Sequence, residues 1–348
     1  MTSARHPTRP PASWLAAAAA AALAVLAAAV AIGPISLPFS DVAAVLADRL
    51  PLVSVDHDVA PVAAAIITEV RLPRVILAGL VGSVLATAGT AFQATFRNPL
   101  ADPYLLGAAG GAGLGVTVAL TETGGSLGTA NLGVTMAAFA GALLAVALAY
   151  ALGSSAEGRS GASLILAGVA VAALFAALQT LLLQRDDEAV RDVYAWLLGR
   201  LNVAGWDEVR LLAPSAALAI GAMVVAARRL DLLALGDDEA ESLGVNAARL
   251  RLGVIVAATL GTAAAVAVSG LIGFVGIVVP HAIRLRAGPS YRRILPLAAI
   301  LGVPFLCGAD LLARTLLAPA EIPIGVVTAV VGAPFFLALL RTNRVGRA

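Results

Sequence analysis

Apolar residues run along this chain in blocks, most of them near twenty residues, separated by short polar breaks. A helix rises about 1.5 Å per residue, so a hydrocarbon core of about 30 Å needs about 20 mostly apolar residues per crossing. Ten blocks read as crossings: Trp14–Ile32, Leu72–Thr95, Tyr104–Leu120, Leu132–Gly153, Ala162–Leu183, Leu211–Ala227, Leu252–Ser269, Leu271–Ile283, Ile294–Leu312 and Ile322–Leu340. The pattern predicts an all-α membrane protein with ten transmembrane helices, a single transmembrane domain over residues 1–348. The eighth block is short and carries Gly273, Gly276 and Pro280. Such a segment survives in a bilayer only where its backbone is buried in protein or faces a wet cavity.

Arg5, His6 and Arg9 ahead of an Ala-rich run imitate a cleavable leader. The apolar run is longer than the 7–15 residues of a leader core, so the first block reads as a retained span. An even number of crossings puts both termini on one side. Fifteen of the 23 arginines then flank the spans on the side of the N-terminus, which makes that side cytoplasmic. Residues 1–13 become a cytoplasmic tail, 33–70 an outer segment and 228–250 a cytoplasmic connection.

Composition narrows the chemistry. Hydrophobic residues make up 60% of the chain and charged residues 13%, about half the usual share. The chain contains no lysine, which excludes a phosphate-binding loop of the G-x-x-x-x-G-K-[ST] kind and Schiff-base catalysis. Cys307 is the one cysteine, and His6, His57 and His281 lie far apart, so neither a disulfide nor a metal or redox motif is expected. The net charge of +2 sits on arginines in short flanks and marks no nucleic-acid surface.

The polar breaks carry helix punctuation. In Asn98-Pro99-Leu100-Ala101-Asp102-Pro103, Pro99 disfavours helix at Asn98, Asp102 suits an N-cap and Pro103 a first helical position. Between Leu230 and Arg249, Asp237 and Asp238 open a short helix, Gly244 suits its end and Asn246 can cap the next. With Glu239, Glu241 and Leu243, this long connection reads either as a solvated loop or as an element that docks into a partner's cleft. Asp41–Leu50 reads as an amphipathic helix on the outer face. Arg71 and Arg74 flank the second block and Arg314, with Asp310, ends the ninth. These arginines oppose the orientation rule; they either snorkel to headgroups or present an exposed cationic set to carboxylates of another protein. The spacings of Gly79, Gly82, Ala86 and Gly89, and of Gly107, Gly111 and Gly115, indicate close helix packing.

Five of these stretches resemble signatures of one family: Arg71-Leu72-Pro73-Arg74; Arg97 through Pro103; Leu235-Gly236 through Leu243-Gly244; Gly273 through His281; and Glu321-Ile322-Pro323-Ile324-Gly325. From about residue 70 onward the chain is similar to the FecCD/BtuC family, permease subunits of ABC importers for ferric siderophores, haem and cobalamin. The resemblance implies a type II importer fold with ten helices per subunit, paired as a homodimer or with a paralogue, the pathway lying between the subunits. It implies two copies of an ATPase subunit inside, which hold the ATP and Mg, and a periplasmic or lipoprotein substrate-binding protein outside. Residues 33–70 are then periplasmic, and 228–250 is the coupling region that rests on the ATPase. Arg71, Arg74 and Arg314 match arginines that engage the binding protein. Asp237, Asp238, Glu239, Glu241, Leu243 and Gly244 fall in the coupling helix, and Ser160, Gly161, Ala162 and Ser163 match the cytoplasmic approach to the pathway. No cofactor, metal or catalytic residue is implied for this chain. The runner-up is an ion-coupled secondary transporter, which would place ionisable groups within its spans; here the acids cluster at segment ends. Ferric siderophore is the expected cargo, ahead of cobalamin and haem.

Overall fold

The structure is a computed structural model that describes residues 12–35, 37–49, 59–123, 132–155, 161–184, 186–201 and 204–341. Among these residues the chain is helical and forms no strand. The helices are α1 (Ala12–Ala31), α2 (Phe39–Asp48), α3 (Pro61–Ala65), α4 (Leu72–Phe96), α5 (Ala108–Thr123), α6 (Leu132–Ser155), α7 (Gly161–Leu183), α8 (Asp187–Leu197), α9 (Trp206–Leu233), α10 (Asp237–Ser242), α11 (Ala247–Ser269), α12 (Val275–Ala287), α13 (Tyr291–Thr315) and α14 (Ile324–Arg341). A π-helical stretch, Ile66–Arg71, joins α3 to α4 without a break. Among the described residues, seven helical runs are long and apolar enough to cross a membrane: α1, α3 through α4, α6, α7, α9, α11 and α13.

The remaining three expected crossings are helices of lesser length. α12 has 13 residues, α5 has 16 and α14 has 18. The sequence reading started the third span at Tyr104, with Pro103 as a first helical residue. The structure starts α5 only at Ala108, because residues 103–106 form turns and Gly107 takes a φ of +86°. Likewise α12 begins at Val275 rather than near Leu271, after Phe274 at a φ of +67°. Asp102 still caps a turn, accepting from the Tyr104 N–H at 2.9 Å.

α4 is the axis of the bundle. It packs against α13, α11, α9 and α12, and nearly every residue from Val75 to Thr95 is buried. Lipid tails supply no hydrophobic drive between helices, so contact must come from close backbone approach. Gly82 lies against the backbone of Gly302 in α13, and Gly89 against that of Gly276 in α12. A second group, α5 with α6 and α7, repeats the device: Gly111 faces Gly141, and Gly115 faces Ala137. The small-residue spacings thus serve packing. Leu144, Leu166, Leu218 and Val330 point outward from their helices and are exposed.

A Cβ at Gly89 would run into the Gly276 backbone, whereas Gly221 in α9 has open space around it. Gly89→Ala should therefore lower stability by about 1–3 kcal/mol through overpacking, and Gly221→Ala should be neutral or slightly stabilising. Thermal unfolding in detergent distinguishes the two; equal melting temperatures would remove the close-packing account.

Candidate functional site

At the end of the bundle where α4 stops, α10 forms a projecting knuckle. Asp237, Asp238 and Glu239 occupy its first turn, where negative charge suits the helix dipole. Its far end closes as a Schellman motif: the Gly244 N–H donates to Glu241 O and the Val245 N–H to Ala240 O, both at 2.9 Å. Gly244 has a φ of +81°, which a side chain would strain. The Asn246 carbonyl side chain accepts from the Arg249 N–H at 2.8 Å and starts α11. Asp237 is tied to Arg251 at 3.0 Å and to Arg97, at the left-handed end of α4, at 3.4 Å. Only Ala240 is buried; Asp238, Glu239, Glu241, Leu243 and Gly244 are exposed, Leu243 by 58%. The knuckle is rigid, acidic and carries one bare apolar tip.

The break between α11 and α12 runs irregular backbone through the interior, and its polar groups have specific partners. The Tyr104 hydroxyl donates to Ile272 O at 3.1 Å and accepts from the Ile272 N–H at 3.3 Å. The Arg200 N–H donates to Ser269 O at 2.7 Å. Pro280 has no N–H to give the carbonyl four residues back, that of Gly276. Gln93 of α4 fills the vacancy, its Nε2 donating to Gly276 O at 3.0 Å, while its Oε1 accepts from Arg284 at 2.9 Å. Gln93 and Arg284 are both buried. Arg284 is thus an internal strut, and Arg251 and Arg293 are buried too. Gln93 and Tyr104 carry no motif of their own. The signal for Gln93 was a lone amide in an apolar span facing a proline-broken one.

At the opposite end, where α4 begins, three arginines meet two acids. Arg74 holds Asp310 at 2.8 Å and Glu321 at 2.9 Å. Arg314 lies 3.4 Å from the same Asp310 and donates to Ala29 O. Arg71 donates to Val30 O at 3.1 Å, to Ala31 O at 2.7 Å and to Ile35 O. The expectation of an exposed cationic set is corrected here: Arg71 is 4% and Arg314 2% exposed. The last carbonyls of α1 have no intrahelical donor, and these guanidinium groups supply it. Arg74 is the member that reaches a cleft of about 410 Å³, shared with Asp192, Arg200, Asp310 and Glu321. Burial lowers the pKa of Arg200, opposed by Asp192 and Glu208.

Ser160 lies outside the described residues. Gly161, Ala162 and Ser163 open α7, with Gly161 against Phe96 at the end of α4. The Asn98 side chain accepts from the Leu100 N–H at 2.9 Å, so the Asn98–Pro103 stretch turns sharply under α4. Among the described residues no group of three or more His, Cys, Asp or Glu side chains could hold a metal ion.

Comparison with known proteins places these features in context. A model of the FecCD transport family matches residues 20–342. The chain is 39% identical to the cobalamin import system permease protein BtuC of Halobacterium salinarum, over 81% of this chain and 75% of that one. It is 42% identical to the hemin transport system permease protein HmuU of Yersinia pestis, over 80% and 84%. A solved structure described as an inward-facing conformation of a metal-chelate type ABC transporter superposes with a TM-score of 0.82 at 30% identity, covering 95% of this chain and 99% of that one.

The Gln93 bridge makes a direct prediction. Gln93→Leu leaves both Arg284 and the Gly276 carbonyl without their partner and should cost about 3 kcal/mol. Gln93→Glu restores a partner for Arg284 alone and should fall between the variant and the wild type. Melting temperatures in detergent report the order, and a wild-type value for Gln93→Leu would refute the bridge.

Proposed function

Because the chain belongs to the FecCD transport family, we propose that it is the membrane-spanning subunit of an ATP-driven importer that carries an intact metal chelate inward, ferric siderophore first among them. Cobalamin and haem are the other cargoes named for relatives. Two copies, or one copy with a paralogue, would enclose the pathway between them. α5, α12 and α14 complete ten crossings, with the irregular stretches 98–107 and 270–274 making up the length of the first two. The end bearing α10 is cytoplasmic, and so are both termini.

The observation that carries the reading is the α10 knuckle. A helix of six residues, locked by a Schellman turn and two ion pairs to the rest of the bundle, transmits a push instead of absorbing it. Its exposed Leu243 suits insertion into a groove on each of two ATPase subunits, which would hold ATP and Mg. Closure of those subunits would shift α10 and, through Arg97 and Asp237, the base of α4. The 160–163 segment, at the start of α7 and beside Phe96, would gate the cytoplasmic mouth.

At the outer end, Arg74 would exchange part of its pairing with Asp310 and Glu321 for carboxylates of a substrate-binding protein, while Arg71 and Arg314 hold α1 beneath the docking surface. Asp310 sits between two guanidinium groups, so the buried acid within the α13 span is committed to structure. That weighs against an ion-coupled carrier.

Leu243→Asp should leave folding intact and cut ATP-coupled uptake by more than about tenfold when the chain is reconstituted with its ATPase, since a contact at the centre of an interface is worth about 2 kcal/mol. Undiminished uptake would sink the coupling assignment. Arg74→Glu should weaken binding of the substrate-binding protein: added salt should weaken wild-type binding, whereas in the variant it should have a smaller or opposite effect. An unchanged affinity would remove Arg74 from the docking surface.

A further inference from the structure

The end of the bundle that carries α10 also has two grooves on either side of the first turns of α1. One, of about 430 Å³, runs between α1, α12 and α13; Ala17, Ala18 and Ala21 form its α1 wall, Leu301 and Phe305 its deep end, and Trp14 and Arg286 complete its lining. The other, also about 430 Å³, is walled by Leu15, Val224 and Pro296 and carries Arg228 and Arg292. The alanines cause the first groove: a methyl leaves open the space that a larger side chain would fill between α12 and α13.

The dimensions suit a lipid chain. Leu297 to Phe305 spans eight residues of helix, or about 12 Å, close to half of a hydrocarbon core of about 30 Å. The charge suits an anion. Among the described residues, none of Arg228, Arg286 and Arg292 is in an ion pair. The acid closest to Arg228 along α9, Asp231, is committed to the start of α13, where it accepts from Ser290 Oγ at 2.8 Å and from the Tyr291 N–H at 2.5 Å. The eleven residues ahead of α1 carry Arg5 and Arg9 and no acid, so they cannot neutralise the arginines. Trp14 lies in the first turn of α1, and an indole ring favours the headgroup boundary.

We propose that these two grooves are the seat of one anionic phospholipid, its chains lying along α1 and its phosphate bound by Arg286, Arg292 and Arg228. The proposal needs only that the bundle is embedded in a bilayer; it does not depend on the cargo or on the direction of transport. A lipid so held pins α1, the helix that otherwise touches the bundle mainly through α13, to the base of α9 and α12.

The test is a lipid titration of the full-length protein in neutral detergent, read as thermal unfolding. Phosphatidylglycerol should raise the melting temperature at concentrations about tenfold lower than phosphatidylcholine of the same chains, and inorganic phosphate alone should do nothing. Arg286→Gln with Arg292→Gln should erase that tenfold preference, because a tenfold change is about 1.4 kcal/mol, no more than two basic side chains near an anionic headgroup supply together. Arg286→Lys keeps the charge and should keep the preference, which separates lost binding from lost folding. Ala21→Phe, at an exposed position that fills the first groove, should weaken the response to both lipids alike. Equal responses of the wild type to the two lipids overturn the proposal, as does a preference that survives removal of both arginines, or a phosphate effect as large as the lipid's. A preference that appears or strengthens only after deletion of residues 1–11 also overturns it, because that segment would then be the occupant.

Discussion

In hydrocarbon no water can take up a backbone group that the fold leaves open, and the rest of this structure is organised around that constraint. Its sharpest expression is the carbonyl of Gly276. Pro280 cannot bond it, so Gln93 does, across the contact where Gly89 brings α4 against α12. Close approach and hydrogen bond need each other: the amide reaches the carbonyl only because no side chain stands between the two backbones. Arg284 then closes on the same amide, which makes a buried guanidinium tolerable in the last turn of α12.

The same logic explains the arginines at the end of the bundle where α4 begins. A helix that ends inside the protein leaves carbonyls without donors. α1 ends against α4 and α13, and Arg71 and Arg314 reach in to satisfy Ala29, Val30, Ala31 and Ile35. Arg314 is balanced by Asp310, which Arg74 shares. The cluster is therefore continuous from the buried end of α1 to the open cleft at Glu321. A partner that engages Arg74 would act on a network that also fixes α1, α4 and α13, so docking and helix position are physically linked.

Between the two ends, α4 is the stiff element. Its N-terminal end lies in the arginine cluster, its middle abuts α13 and α12 at glycines, and its C-terminal residue Arg97 meets Asp237 of the knuckle. Over its 25 residues this helix is thus a continuous line of packed contacts from one end of the bundle to the other.

How much of this was legible beforehand follows from the range of the forces involved. The apolar blocks, the knuckle with its glycine stop and asparagine cap, and the broken eighth segment depend on neighbours within a few residues, so periodicity and punctuation sufficed to read them. The family likewise shows in short motifs that the chain carries in order. The late start of α5 was not legible, because Asp102-Pro103 is a sound N-terminal signal that Gly107, at positive φ, overrides. The burial of Arg71 and Arg314 was not legible either: an arginine at a span end looks solvated until another helix brings its open carbonyls to it. Gln93 is the clearest case, a lone amide whose worth depends on a proline 187 positions away in the chain. The sequence by itself determined which segments leave water; only the tertiary structure decided where the broken ones begin and which polar groups complete one another, because those pairings join residues that share no local signal.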